Sequence, residues 1–276
     1  MLGRVLDSHS LVNTFDELHV FDRLFDIDEI DQQYTANSRK IARFSSRLEG
    51  TINWGLFGKR RNVGTPALCQ DNTDVEDSIS LGDIYLRTLR QHTNNKGKLI
   101  PCEQTPRYIF CAEVLLNYYK DCRVVHIYRD PRAVLNSQKM RWRRSAFSRN
   151  PFPRIWTWRS RINYDPFLTS RTWTATMRIA RRLSDHNRFH EICFESLVQS
   201  PMEQLQGLCD FLGIEFEEKM LEVPVIGSSH SADVENKFGL DSSKVDSWKK
   251  DRRLTETEVA ICESVTKEEL LDREPS

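Results

Sequence analysis

The segment from Arg123 to Arg144 carries a basic and a hydroxyl side chain at a spacing that suits phosphate binding. Arg129 follows the β-branched run Val124–Ile127, and an Asp-Pro pair comes directly after it. This pattern predicts a buried strand, a tight turn and a helix over residues 132–140, because Asp caps helices and Pro fits their first turn. A helix start at the carboxyl end of a strand favours phosphate, and the planar guanidinium of Arg matches phosphate oxygens. Ser137, about two helical turns further on, adds a hydroxyl donor.

The sequence of this segment, RDPRAVLNS, resembles the 3′-phosphate-binding motif of sulfotransferases that use 3′-phosphoadenosine 5′-phosphosulfate (PAPS). In that family an Arg at the strand end and a Ser eight residues later bind the 3′-phosphate, and they correspond to Arg129 and Ser137. Arg141 corresponds to a further ligand of the same phosphate. The resemblance implies a three-layer α/β fold with a central parallel sheet of P-loop-kinase-like topology, PAPS as co-substrate and no metal. A strand-end Arg without a ligand is the alternative, since short motifs also occur by chance.

The first residues of the chain, LGRVLDSHS from Leu2 to Ser10, resemble the piece that follows the 5′-phosphosulfate loop in this family. The strand and the Gly-rich loop that precede this piece in the family are not in the sequence. The segment Gly55–Arg60 does not replace them, because it lacks both the spacing and the hydroxyl group of a phosphate loop. The resemblance therefore predicts a single sulfotransferase domain over residues 1–276, truncated at its N-terminus, with a variable acceptor-side region at residues 32–97.

A catalytic carboxylate is predicted at Glu17. In the tyrosylprotein branch of the family, which this chain resembles most, a catalytic Glu lies eleven residues after the Leu of an LD-x-H segment, and Leu6 leads to Glu17. A carboxylate suits this position because the acceptor hydroxyl must lose its proton during transfer. Asp16 and His19 are alternative bases. An ordinary polar start of a helix over residues 17–25 is the alternative without a chemical role.

One departure from the family concerns the turn after a predicted strand over residues 98–104. Relatives often have Lys-Thr-Pro there, and the Lys helps to neutralise the transferring sulfonate, whereas this chain has Gln104 before Thr105. Gln donates a hydrogen bond but carries no charge, so stabilisation of the developing charge is reduced. This departure and the missing loop favour an alternative function, that of a non-catalytic relative that binds PAPS, another anion or a glycan.

The later part of the chain supplies three further candidates by resemblance. Phe194 ends a strand predicted over residues 189–194 and takes the place of a Tyr near the nucleotide, without its hydroxyl. Ser231 corresponds to a Ser that contacts the sulfate and is assigned a catalytic role. Lys237 is expected beside a phosphate group. A plain polar surface loop is the alternative for Ser231 and Lys237.

Composition limits the partners. Lys and Arg total 40, as do Asp and Glu, yet residues 123–182 hold 15 basic and two acidic residues, an excess of 13 positive charges that attracts anions. No nucleic-acid motif is present, and the family resemblance implies a hydroxyl-bearing glycan, tyrosyl protein or small molecule as the partner. The seven Cys have no metal-like spacing, and there is no apolar run of membrane-spanning length and no signal peptide. The sequence is compatible with two compartments: the cytoplasm of a bacterium, or the Golgi lumen of a eukaryote with an anchor outside this chain. It is also compatible with a homodimer.

Overall fold

The computed structural model describes residues 1–54, 78–140, 164–222, 245, 247–251 and 253–271. The chain divides into two compact units, residues 1–122 and residues 123–276, each with its own pair of parallel strands. Within the described ranges, no helix is both long enough and apolar enough to cross a membrane.

The first unit alternates short strands with helices in its described residues, and it has 3-10 turns at Ile27–Glu29 and Pro106–Cys111. Its elements are α1 Leu2–Ser8, β1 Val12–Phe15, α2 Val20–Arg23, β2 Gln33–Thr35, α3 Arg39–Trp54, β3 Ser78–Ser80, α4 Leu81–Asn94, β4 Ile100–Glu103 and α5 Ala112–Tyr118. Strands β2 and β3 form an antiparallel pair. The apolar core consists of side chains from β1, α2 with the residues after it, α3 and α4, among them Phe15, Phe21, Phe25, Phe44, Leu48 and Ile84.

Strands β1 and β4 are parallel neighbours, with Val12 opposite Ile100 and Phe15 opposite Glu103. Parallel strands end at the same edge of their sheet, so the residues after Phe15 lie beside the residues after Glu103. This register brings the predicted base Glu17 to the turn that contains Gln104.

The second unit places a βα unit next to three longer helices. Its elements are β5 Val124–Tyr128, α6 Pro131–Lys139, α7 Pro166–Leu183, β6 Phe189–Cys193, α8 Phe194–Gln199, α9 Pro201–Leu212, α10 Ser247–Asp251 and α11 Glu256–Leu271, with a 3-10 turn at Glu218–Leu221. Strands β5 and β6 are parallel, with Val124 opposite Phe189 and Tyr128 opposite Cys193. Helix α9 ends at Gly213, whose φ of 67° is the left-handed backbone that Gly adopts without steric cost.

Helices α7 and α11 pack together around a buried carboxylate. The side chain of Glu269 on α11 is only 2% exposed, and its two oxygens lie 3.0 Å from Arg178 Nε and 2.5 Å from Arg181 Nη2 on α7. A buried carboxylate is tolerated only when its charge is paired, and this pairing fixes the two helices against each other.

The predicted α/β fold with parallel strands is confirmed, and so is the strand-turn-helix segment around Arg129. The predicted helix over residues 17–25 is wrong in extent, because only Val20–Arg23 is helical and His19 has a left-handed backbone with a φ of 52°. Phe194 is the first residue of α8 rather than the last residue of a strand. The extent of a single domain over residues 1–276 stays a prediction.

Candidate functional site

The end of strand β5 holds the predicted phosphate ligand Arg129. Its guanidinium carbon lies 4.4 Å from the ring centre of Phe194, and its Nε lies 3.7 Å from Glu195 Oε1. Its backbone oxygen accepts a hydrogen bond of 2.9 Å from the indole of Trp173. Burial lowers the pKa of the Arg129 guanidinium and the nearby carboxylates oppose this, but an Arg remains charged at neutral pH. The side chain is therefore a partly enclosed cation whose orientation is set from several sides.

Glu195 joins the ends of the two parallel strands. Its Oε1 accepts a hydrogen bond of 3.2 Å from the amide of Asp130, and its Oε2 lies 3.3 Å from Cys193 Sγ. This arrangement follows from the register, because Tyr128 and Cys193 are opposite each other and their successors emerge at the same edge. Arg129 and Phe194, which are 65 residues apart in the chain, meet for the same reason.

Helix α6 starts with a capped turn at this edge. The carboxylate of Asp130 accepts a hydrogen bond of 2.7 Å from the amide of Arg132, and Pro131 occupies the first helical turn. The guanidinium of Arg132 is tied back to Asp130 at 2.7 Å and to Glu263 at 3.1 Å. Ser137 is half-buried and lies near the end of the same helix. The Arg and Ser of the motif are thus carried by one strand-turn-helix unit, as predicted.

The predicted base Glu17 lies in the first unit, in a row of three titratable side chains. His19 Nε2 is 3.1 Å from Glu17 Oε2, and His19 Nδ1 is 3.1 Å from Asp22 Oδ2. The imidazole side chain is 12% exposed and that of Glu17 is 47% exposed, so the outer carboxylate faces solvent. Both contacts are hydrogen bonds only while the ring carries two protons or one carboxyl is protonated. Glu17 therefore lies at the solvent-facing end of a hydrogen-bonded row that includes His19 and Asp22.

The backbone at His19 is strained and is held by side chains from the last residue of β4 and from the segment that follows it. A left-handed backbone costs a residue other than Gly about 1 to 2 kcal/mol. The amide of Leu18 donates to Glu103 Oε1 at 2.9 Å, and the amide of His19 donates to Thr105 Oγ1 at 3.2 Å. The amide of Val20 donates to Tyr108 Oη at 2.7 Å. Three consecutive amides are thus bound by side chains about 85 residues away in the sequence.

Sequence reasoning missed these supporting residues. It singled out Gln104 and passed over its neighbours Glu103 and Thr105. A signal was present, because an acidic residue at the end of a mostly apolar, partly buried strand needs partners, and here it finds two. Burial raises the pKa of the Glu103 carboxyl to about 7, although hydrogen bonds from Thr105 and Leu18 lower it.

Gln104 packs against the first turn of α1. A Cβ atom added at Gly3 would lie 2.1 Å from Gln104 Oε1 and 3.0 Å from the Thr14 methyl carbon, so Gly3 leaves the space that the Gln104 side chain occupies. The polar end of Gln104 therefore lies beside α1.

The comparisons with known proteins decide the family. The sequence model described as "Sulfotransferase family" matches residues 1–218, which is more than half of the chain. The chain belongs to the sulfotransferase family. The branch of the family, tyrosylprotein or Golgi-type, stays a prediction.

Two solved structures resemble the fold of this sulfotransferase. One is a sulfotransferase domain from the curacin biosynthetic pathway, with a TM-score of 0.55 and 18% identity, covering 100% of this chain and 93% of that one. The other is a sulfotransferase domain from the olefin synthase of Synechococcus PCC 7002, with a TM-score of 0.52 and 20% identity, covering 95% of this chain and 88% of that one. At these identities the likeness concerns the fold. The comparison with curated proteins gives no match.

The predicted site residues of this sulfotransferase fall in three places. Arg129 and Phe194 are in contact in the second unit, and Ser137 lies on the helix that follows Arg129. Glu17 lies in the first unit beside His19. The other three candidates, Arg141, Ser231 and Lys237, lie outside the described residues. Among the residues that are described, no group of three His, Cys, Asp or Glu could hold a metal ion.

Proposed function

We propose that this chain transfers a sulfonate group from PAPS to a hydroxyl group of a carbohydrate, a protein tyrosine or a small molecule. The observation that carries the proposal is the strand-turn-helix unit from β5 to α6, in a chain whose family is established by its sequence. It presents an enclosed, oriented guanidinium at the carboxyl end of a parallel strand, where ligands of such sheets bind.

In this proposal, Arg129 and Ser137 bind the 3′-phosphate of PAPS. The face of the guanidinium lies against Phe194 and its Nε is close to Glu195, so the orientation of the group is set before the ligand arrives. An oriented donor loses little conformational freedom when it binds, and the planar group can bind two phosphate oxygens at once. Arg141 and Lys237 add positive charge in the proposal, on the strength of the family resemblance.

The chemical step in this proposal is an in-line displacement at sulfur. The acceptor oxygen forms a bond to sulfur while the bond between sulfur and the phosphate oxygen breaks, and adenosine 3′,5′-bisphosphate leaves with that electron pair. Glu17 takes the hydroxyl proton and shares it with His19, whose other nitrogen faces Asp22. Gln104 and Ser231 donate hydrogen bonds to the sulfonate oxygens. As in phosphoryl transfer, positioning and charge stabilisation account for most of the rate increase.

The second candidate is a non-catalytic protein that binds PAPS, another anion or a glycan. Gln104 favours it, because a neutral amide lies where relatives have a cation, and the amide is packed against Gly3. Where the second candidate binds PAPS, the two candidates share the phosphate site and differ only in the transfer step.

The test measures binding and transfer separately. Titration calorimetry with adenosine 3′,5′-bisphosphate, a stable product, compares the wild type with Arg129→Ala and with the matched control Arg171→Ala. Arg171 is an exposed Arg on α7 that also lies over an aromatic ring. We expect Arg129→Ala to weaken binding at least tenfold, since a hydrogen bond to a charged group contributes about 1.5 to 3 kcal/mol, and Arg171→Ala to leave it unchanged.

Transfer is measured with ³⁵S-labelled PAPS and three acceptor classes: a glycan, a tyrosyl peptide and a phenol. Label on any acceptor supports the enzyme. Binding that depends on Arg129 without transfer to any acceptor supports the non-catalytic candidate. Affinity that is unaffected by Arg129→Ala contradicts the enzyme and the PAPS-binding form of the second candidate.

A further inference from the structure

The segment from Glu17 to His19 is held in a backbone conformation that it would not adopt alone. In the described part of the chain, His19 is the only residue other than Gly with a positive φ. Such a residue persists only where the surrounding structure determines its conformation. Here that conformation turns the imidazole toward both Glu17 and Asp22, so the row of three side chains depends on it.

Two of the three bonds that hold this conformation are connected to one carboxyl group. Glu103 Oε1 accepts from the amide of Leu18 at 2.9 Å and from the hydroxyl of Thr105 at 2.5 Å. Thr105 Oγ1 in turn accepts from the amide of His19 at 3.2 Å. Removing Glu103 would therefore release Leu18 directly and His19 through Thr105.

The surroundings of Glu103 disfavour a charged carboxylate, so a carboxylate at this position is a costly choice for a purely structural residue. Its Oε2 is buried and has no hydrogen-bond partner among the described residues, and no cation in those residues forms an ion pair with it. The titratable groups around it are Glu17, Tyr85, Tyr108 and Cys102, none of which offers a positive charge. A buried carboxylate in such a place costs stability, and uncompensated cost of this kind is common at functional sites.

We propose that Glu103 is a positioning residue, which holds the Glu17–His19 segment in the conformation that the transfer step requires. The proposal rests on the proposed function only for its kinetic consequence. Its structural consequence is the ordering of the Leu18 and His19 amides, and this does not depend on catalysis. The carboxyl acts as a hydrogen-bond acceptor here, so an amide at the same position can replace it.

The structural test is hydrogen exchange of the Leu18 and His19 amides, measured by NMR against amides of α4 as the internal reference. The variants are Glu103→Leu, which removes the acceptor, and Glu103→Gln, whose amide oxygen retains it. The matched control is Glu49→Leu, which removes another buried carboxylate of the same unit, one paired with His92 at 2.9 Å. We expect the Leu18 and His19 amides to exchange at least tenfold faster in Glu103→Leu than in the wild type. In Glu103→Gln and Glu49→Leu, we expect their exchange rates to stay within twofold of the wild type.

The kinetic test measures transfer from PAPS by the same variants. We expect Glu103→Leu to lower kcat at least tenfold with an unchanged KM for PAPS, and Glu103→Gln to restore most of kcat. Should Glu103→Leu fail to fold, Thr105→Val removes the acceptor of the His19 amide and must speed the exchange of that amide alone. If the wild type transfers no sulfonate, the proposed function fails and hydrogen exchange still decides the role of Glu103.

Two results would overturn the proposal. One is exchange of both amides at wild-type rates in Glu103→Leu. The other is an equal loss of kcat in Glu49→Leu, which would show that any loss of stability in this unit reduces the rate.

Discussion

The guanidinium of Arg129 lies over the ring of Phe194, with its central carbon 4.4 Å from the ring centre. One residue follows β5 and the other follows β6, so the contact connects the ends of two parallel strands. The family resemblance predicts a Tyr at this position, and the contact seen here uses the face of the ring rather than a hydroxyl. The replacement of Tyr by Phe therefore keeps the support of the predicted phosphate ligand.

Loss of the Phe194 ring should weaken nucleotide binding. A partly buried cation–π contact contributes about 1 kcal/mol, so Phe194→Leu should raise the Kd for adenosine 3′,5′-bisphosphate roughly fivefold. Phe194→Tyr should leave the Kd within twofold of the wild-type value. The control is Phe167→Leu, which removes the ring beneath Arg171 on the surface of α7 and should have no effect. Equal Kd values for Phe194→Leu and the wild type in calorimetry would contradict a role for the ring.

Substitution of the candidate base should separate chemistry from binding. Glu17→Gln should lower kcat by about a hundredfold or more, because positioned proton transfer contributes at least that factor, and should leave the affinity for adenosine 3′,5′-bisphosphate unchanged. The neighbouring Asp16 is also exposed, and Asp16→Asn serves as the control with a change in kcat below twofold. A larger loss of kcat in Asp16→Asn than in Glu17→Gln would transfer the role to Asp16.

The buried carboxyl of Glu103 should make stability depend on pH. Its pKa rises from 4.5 in the unfolded chain to about 7 in the folded protein, so the folded state binds more protons between these values. Stability from this group is fully present below pH 4.5 and is lost as the pH rises through 7, by about 3 kcal/mol at 1.36 kcal/mol per pKa unit.

Glu103→Gln has no proton to lose and reveals this effect. We measure the free energy of unfolding in urea for both proteins and take the value of Glu103→Gln minus that of the wild type. We expect this difference to be larger at pH 8 than at pH 4.5 by up to about 3 kcal/mol. A constant difference between the two proteins across this range would show that the Glu103 pKa is not raised.

The ion pairs of α11 should differ strongly in their contribution to stability. Glu269 is 2% exposed and pairs with Arg178 and Arg181, whereas Glu268 is 84% exposed and lies 3.4 Å from Arg178. The double variant Arg178→Ala/Arg181→Ala leaves a buried charge unpaired and should cost about 3 kcal/mol or more of unfolding free energy. Glu268→Gln should cost less than about 0.5 kcal/mol. Equal effects in urea denaturation would contradict the burial of Glu269.

The local structure around Arg129 was predicted correctly because it depends on a short stretch of sequence. The run before Arg129 forms a strand, and the Asp-Pro pair after it caps and starts α6, because both preferences act within a few residues. The same local reasoning predicted a helix from residue 17 and was wrong at His19. The left-handed backbone there depends on acceptors at Glu103, Thr105 and Tyr108, and no local pattern around residue 19 contains them.

The contact between Arg129 and Phe194 was also beyond local reasoning. The sequence placed Phe194 near the nucleotide by resemblance, but its position against Arg129 requires the register of β5 and β6, which no turn residue specifies. The role of Glu103 was missed for a related reason, because its partners come from a segment that the strand pairing brings alongside.

The packing of Gln104 against Gly3 couples the space available to the side chains at these two positions. A Cβ added at position 3 would lie 2.1 Å from Gln104 Oε1, so a larger residue there requires the end of the Gln104 side chain to move. Among relatives, a longer side chain at position 3 should therefore accompany a smaller or differently directed side chain at position 104. A lysine introduced by Gln104→Lys would occupy the space beside Gly3, so Gln104→Lys should raise turnover more with Gly3 present than with a larger residue at position 3.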